Sequence, residues 1–316
     1  MAVNIVKDSY KSKVVEITVG TEANAIKIGG DSTLPFLHFE GEMPNKQVLC
    51  LEVFDMVPEG WPENLTAAYE GVMSDPVAWA KKCVEYGADM VALRLMSAHP
   101  DNSDTSPEDA AKTAKAVADA ISVPMIVVGC GVEEKDAKVL EAVAEALAGK
   151  TCILGNATNE NFKSITGACM VYGHSVVSQS PLDINLAKQM NILMTEMGLP
   201  NERIVMDPLS GAVGYGIEYA YSIMERARLG ALMGDKMLGN PVIAYVGQET
   251  WKAKESKASV EEFPEWGEQA KRSILWEVVT ACTLAQAGAA IFVLRHPESL
   301  KQLRVHFAKM MESNAY

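Results

Sequence analysis

Met125-Ile-Val-Val128, Gly129-Cys-Gly131-Val-Glu-Glu134, Ala137-Lys-Val-Leu-Glu-Ala-Val-Ala-Glu-Ala-Leu147 and Cys152-Ile-Leu154 form a strand–helix–strand unit whose turn decides between two folds. The two apolar runs read as strands covered on both faces. Between them Leu140, Val143, Ala144 and Leu147 fall on one helical stripe, with Lys138, Glu141 and Glu145 opposite. An open, doubly wound dinucleotide-binding sheet carries G-x-G-x-x-G at this turn, but here Gly129-Cys-Gly131 continues into Val-Glu-Glu. The other use of such units is a closed barrel.

Outward from that unit the alternation continues. Strand-like runs fall at 48–54, 90–95, 125–128, 152–154, 175–178, 203–206, 242–246 and 291–294, separated by stretches with helical spacing. Pro76, Pro107 and Pro297 sit where helices should begin, and Gly87, Gly198 and Gly288 where they should end. Eight strand–helix units within 48–316 suit a (β/α)8 TIM barrel, whose typical size is about 250 residues. Residues 1–47 stand outside the rhythm. Two short strands at 14–20 and 25–30 predict a β-hairpin that plugs the barrel bottom, so 1–47 is expected to be an N-terminal extension of the same domain.

With 48% hydrophobic and 22% charged residues in 316, the chain has the balance of a soluble globular protein. Its 28 Lys+Arg against 41 Asp+Glu leave a net charge of −13, so neither nucleic acid nor an anionic membrane is an expected partner. The six cysteines are scattered, without C-x-x-C and without histidines at zinc-finger spacing, so no iron–sulfur cluster or structural zinc is expected in this chain. The N-terminal MAVNIVKDSYKSK has no apolar signal region, which makes the cytoplasm the expected location. The longest uncharged apolar stretch, 278–294, is broken by Gln286 and Gly288 and ended by Arg295-His-Pro297. It reads as a buried helix, a turn and a buried strand.

In a barrel, the residues just past each strand line the functional face. These are Asp55, Ser97, Gly129, Asn156, Gln179-Ser180, Asp207, Gly247 and Arg295-His296. The set holds no lysine for a Schiff base and no His/carboxylate cage for a divalent metal. Asp55 and Asp207 suit either an acid/base pair or helix caps. The glycine-dense stretch 207–216, with Gly211 and Gly214, suits either amides facing an anionic or amide-bearing ligand or a tight turn. Arg295 and His296 suit ligand contact or helix entry. Trp61 in one long connection, and Trp251, Phe263 and Trp266 in another, mark either a covered surface or rings packed back on the barrel.

Particular stretches carry a resemblance over nearly the whole chain: Pro35-Phe-Leu-His-Phe-Glu-Gly41, Val127-Val-Gly-Cys-Gly131, Gly155-Asn-Ala157, Ser180-Pro-Leu-Asp-Ile-Asn185, Asp207-Pro208, Gly214-Tyr-Gly-Ile-Glu218, Ser222-Ile-Met-Glu-Arg226 and Arg295-His-Pro297. They resemble the small, delta-type subunit of the corrinoid/iron–sulfur protein of the acetyl-CoA decarbonylase/synthase (reductive acetyl-CoA) pathway. The resemblance implies a barrel in a heterodimer whose large subunit brings the iron–sulfur cluster and holds most of the corrinoid, a cobalamin. The corrinoid then lies at the interface, against this barrel's mouth. Its cobalt takes a methyl group from methyltetrahydrofolate through a methyltransferase and delivers it to acetyl-CoA synthase, both transient partners.

On this resemblance the chain is a non-catalytic cap, with corrinoid contacts expected at Asn156, Ser180, Asp207, Gly211, Gly214, Arg295 and His296. No catalytic residue and no metal ligand is expected: the cobalt-ligating pattern D-x-H-x-x-G is missing, since none of His38, His99, His174, His296 and His306 has an Asp two residues before it. The alternative is a stand-alone pterin-dependent methyltransferase in which Asp55, Asn156 and Asp207 hold the pterin ring.

Overall fold

The computed structural model describes residues 6–312, so the first five positions of the N-terminal stretch and the last four of the expected 48–316 segment lie outside it. Strands β1 (Ile17–Val19) and β2 (Ile26–Ile28) pair antiparallel as the expected hairpin. Eight further strands follow: β3 (Val48–Phe54), β4 (Met90–Arg94), β5 (Met125–Val128), β6 (Ile153–Ala157), β7 (Ser175–Gln179), β8 (Ile204–Asp207), β9 (Val242–Ala244) and β10 (Ala289–Leu294). All are parallel, in sequence order, and β10 pairs back on β3, so the sheet closes into the expected (β/α)8 barrel. β9 stops two residues short of the expected run, because Val246 opens a short helix, Val246–Thr250.

The helices between strands are amphipathic by their spacing. In helix Glu133–Ala146 and its cap, Leu140, Val143, Ala144 and Leu147 are buried, while Lys138, Glu141 and Glu145 are exposed. Pro76, Pro107 and Pro297 each stand at the first position of a helix, where the missing N–H has no partner to lose. Helix Gln269–Ala287 ends at Gly288, whose φ of 115° suits glycine, and β10 starts on the next residue. The apolar stretch 278–294 is therefore a helix, a turn and a strand. Among the described residues no helix is long and apolar enough to cross a membrane.

Two apolar layers hold the fold together. Leu49, Leu51 and Val53 of β3 face the helices, and Val48 and Cys50 face the barrel interior beside Met90, Ala92, Ile126, Val205 and Ile243. Ile17, Val19 and Ile28 of the hairpin belong to that interior cluster and are fully buried. Each such side chain contributes about 1.5–3 kcal/mol by burial. The hairpin segment is tied to the lower end of the barrel by Gly20 N–H to Thr151 O (2.8 Å), Val15 N–H to Gly239 O (2.7 Å) and a buried Asp31–Arg228 ion pair (2.8 Å).

Candidate functional site

At the C-terminal end of the barrel the inward-facing positions turn from apolar to polar in one layer. A strand repeats every two residues, so the inward column runs from Cys50 to Glu52, Ala92 to Arg94, Val177 to Gln179, Val205 to Asp207, Ile243 to Tyr245 and Val293 to Arg295. Asn156 joins them from β6. Asp55, Asn156, Asp207 and Arg295 thus lie at one end of the barrel.

One half of the ring is charged. Glu52 Oε1 accepts from Arg94 Nε (2.7 Å) and Oε2 from Arg295 Nε (2.6 Å). Burial pushes the Glu52 carboxyl up, but the Arg295 and Arg94 guanidiniums outweigh it and hold it below its ordinary value. The Arg295 guanidinium also lies over Trp61 (4.9 Å) and Phe54 (5.4 Å), and its carbonyl accepts from Tyr69 Oη (2.6 Å). Buried Glu277 accepts the backbone N–H of Arg295 (2.7 Å) and of His296 (3.2 Å), and burial raises its carboxyl. His296 Nδ1 accepts from Glu298 N–H (3.1 Å), so His296 caps the helix Pro297–Met310, and burial lowers its imidazole.

The other half is built of amides around one carboxylate. Tyr245 Oη donates to Asn156 Oδ1 (2.8 Å), Asn156 Nδ2 donates to Asp207 Oδ2 (3.2 Å), and Gln179 Nε2 donates to the same oxygen (2.8 Å). Leu209 N–H donates to Asp207 Oδ1 (3.0 Å). Asp207 is fully buried, and burial raises its carboxyl to about 6. Asp55 is engaged separately: it accepts Ser97 N–H (2.9 Å) and the Ser97 hydroxyl, and burial raises it. Asp55 and Asp207 therefore share no hydrogen bond, and neither takes one from a helix of eight residues or more. A third aspartate, Asp136, accepts Cys130 N–H (2.7 Å) and Gly131 N–H (2.9 Å).

The remaining expected residues are spread around this ring. Ser180 is fully buried, donating its N–H to Asp207 O (2.9 Å) and leaving its hydroxyl unpartnered. At Gly211 a Cβ would stand 2.7 Å from the Gly216 carbonyl carbon, so 207–216 is a tight turn at that point. Gly214 is exposed, with φ 78°. Trp61 packs edge-on against Phe54 (5.3 Å) and Trp79 (5.7 Å), and buried Trp251 stacks on His296, so both rings fold back on the barrel. Phe263 and Trp266 stack on each other (4.1 Å) farther out.

Glu52, Arg94, Tyr245 and Glu277 are not among the mouth residues expected from the sequence, all of which lie just past the expected strands. Their signal is a charged or hydroxyl-bearing residue inside or at the tip of an otherwise apolar, doubly covered element. Arg94 holds a further peculiarity: its Nη2 is buried and has no hydrogen-bond partner. Among the described residues no three His, Cys, Asp or Glu come together as a metal site, and the six cysteines are free thiols.

Residues 16–306 match the family model described as CO dehydrogenase/acetyl-CoA synthase delta subunit. The chain belongs to that delta subunit family. Its relatives include acetyl-CoA decarbonylase/synthase complex subunit delta 2 of Methanosarcina acetivorans, 39% identical over 90% of this chain and 66% of the relative. Subunit delta of Archaeoglobus fulgidus is 35% identical over 95% of this chain and 69% of its own length. The chain spans about two-thirds of the length of these delta subunits. In fold, this delta subunit family member is similar to the dihydropteroate synthase of Xanthomonas albilineans (TM-score 0.57, 16% identity, 85% of this chain and 94% of that one). The same holds for dihydropteroate synthase of Coxiella burnetii (TM-score 0.57, 11% identity, 84% and 94%). At such identity the likeness concerns the barrel alone.

Proposed function

We propose that this barrel is a non-catalytic subunit of a corrinoid/iron–sulfur methyl carrier, and that its mouth caps the corrinoid held by a large subunit. The observation that carries the reading is the state of the mouth carboxylates: Glu52, Asp55, Asp136, Asp207 and Glu277 all accept hydrogen bonds from their own chain. Each of these carboxylates is thus held in place by donors of its own chain. The ring offers guanidinium and amide N–H groups, and the orphaned Arg94 Nη2 fits a ligand that brings oxygen acceptors.

Asn156, Gln179, Arg94 and Arg295 would face a flat, amide-bearing corrinoid. Asp207 holds the two amides, Ser180 is bonded to the Asp207 backbone carbonyl, and the 207–216 turn with Gly211 and Gly214, together with His296, would form the rim. When bound, the corrinoid supplies the cobalt that takes up and releases the methyl group. The chain's own part is to hold the ring's face and keep water away from it. The large subunit brings the iron–sulfur cluster, and the methyltetrahydrofolate methyltransferase and acetyl-CoA synthase bind transiently. The relatives' names as complex subunits support such partners, and the net charge of −13 speaks against nucleic acid and anionic membrane. We place the protein in the cytoplasm, with residues 1–47 and 48–316 as one domain.

The test is methyl transfer from methyltetrahydrofolate to added cobalamin, by the isolated chain and by the chain assembled with its large subunit and methyltransferase. Transfer is expected only in the assembly. Transfer by the chain alone, with tight binding of methyltetrahydrofolate, would replace this reading with the stand-alone methyltransferase.

A further inference from the structure

We propose that Arg94 contacts the ligand directly, and that it takes a neutral carbonyl oxygen, that of a primary amide. The proposal deepens the capping reading and rests on it. Arg94 sits at the tip of β4 with Nε bonded to Glu52, and its Nη2 is buried without an acceptor. A donor of a charged group left unsatisfied is costly, and with 12% of the Arg94 side chain exposed, a turn of the guanidinium brings it to an oxygen that a ligand supplies.

The surroundings select the kind of oxygen. Glu52 is shared between Arg94 and Arg295, and the carboxylates of Asp207 and Asp136 lie near enough to interact with the Arg94 charge. Arg94 thus faces three carboxylates, one of which it shares with Arg295. A further anion would enter a site whose positive charge is already matched, whereas a neutral carbonyl accepts the N–H without adding charge.

The neighbours point the same way. The Arg94 guanidinium lies 5.4 Å from the centre of the Tyr245 ring, and the Tyr245 hydroxyl fixes the Asn156 amide with oxygen toward Tyr245 and nitrogen toward Asp207. Gln179 is fixed by the same carboxylate. Each of these NH₂ groups spends one hydrogen on Asp207 and keeps the other, so the ring offers oriented amide N–H groups beside the guanidinium. Such a set reads amide carbonyls.

The experiment titrates the full chain with two corrin probes that differ in their side chains: dicyanocobinamide, which bears amides, and dicyanocobyrinic acid, which bears carboxylates. Arginine guanidinium NMR signals and the probe's absorbance are the readouts. Dicyanocobinamide is expected to bind and shift the Arg94 signals, and the carboxylate probe to bind about tenfold more weakly or not at all. R94M is expected to lower dicyanocobinamide affinity about tenfold, the scale of a hydrogen bond to a charged group. R94K keeps a charge beside Glu52 but loses the forked donors, so it should fold and show a similar loss. If R94M fails to fold, R94K gives the answer. Unchanged affinity in a folded Arg94 variant would overturn the role of Arg94 and leave the capping reading standing. Equal or tighter binding of the carboxylate probe would overturn the choice of a neutral oxygen. Absence of any shift with millimolar dicyanocobinamide would overturn the proposal, whereas the capping reading, in which a large subunit holds the corrinoid, stands or falls with methyl transfer in the assembly.

Discussion

Arg295 donates from Nε to Glu52 Oε2 at 2.6 Å although 243 residues separate them, and this bond joins the last barrel strand to the first. The other oxygen of Glu52 binds Arg94 on the second barrel strand, so one carboxylate links three neighbouring strands at the point where the barrel closes. Charge balance and closure of the sheet therefore depend on the same side chain.

Replacing Glu52 by Met removes the counter-charge of two buried guanidiniums. Urea unfolding should show a loss of about 3–5 kcal/mol, the usual cost of breaking a buried ion pair from one side. The triple replacement E52M/R94M/R295M, which removes all three charges, should recover most of it. A cost below about 1 kcal/mol for E52M would mean that the guanidiniums find other partners.

Asp207 gives stability a definite pH slope. Its carboxyl is raised from an ordinary value near 3.8 to about 6 in the fold, so between these values the folded chain holds a proton that the unfolded chain has released. The Asp207 contribution is thus most favourable below the unfolded value and is lost as pH rises through about 6, in total about 3 kcal/mol. Unfolding free energies measured from pH 4 to pH 7 for wild type and D207N should diverge with that sign. A carbon-13 titration of the Asp207 carboxyl should place its midpoint near 6.

Gly155 lets β6 approach β7. A Cβ at this position would stand 2.5 Å from Val177 Cβ. Gly155→Ala should cost about 1–3 kcal/mol through overpacking, read as a lower denaturation midpoint. Val177→Ala added to it should not restore the loss, because the nearest atom, Val177 Cβ, remains. A neutral G155A would show that the strands separate freely.

Much of the architecture is legible along the chain because its causes are local. Apolar runs of strand length, helical stripes, the prolines at 76, 107 and 297 and the glycines at 87, 198 and 288 act within a few residues. The candidate site is legible only in part. Asn156, Asp207 and Arg295 are legible as residues just past the expected strands, whereas Glu52 and Arg94 fall inside the expected runs 48–54 and 90–95 and look like interruptions of an apolar pattern. Ser180 reads as a rim residue, yet it is fully buried, with its N–H bonded to the Asp207 carbonyl.

The order of strands and helices, the N-terminal hairpin, and a closed barrel in place of a dinucleotide-binding sheet, through the turn after Val128, all follow from residue order alone. Which polar groups meet emerges in the folded barrel: Glu52 with Arg94 and Arg295, Tyr245 with Asn156, and the Asn156 and Gln179 amides with Asp207. Trp61 and Trp251 likewise found their partners only in the folded barrel. The difference is one of range. Periodicity, capping and turn chemistry act over a few residues, but a ring at the barrel mouth depends on the register of eight strands and on closure between segments at opposite ends of the chain.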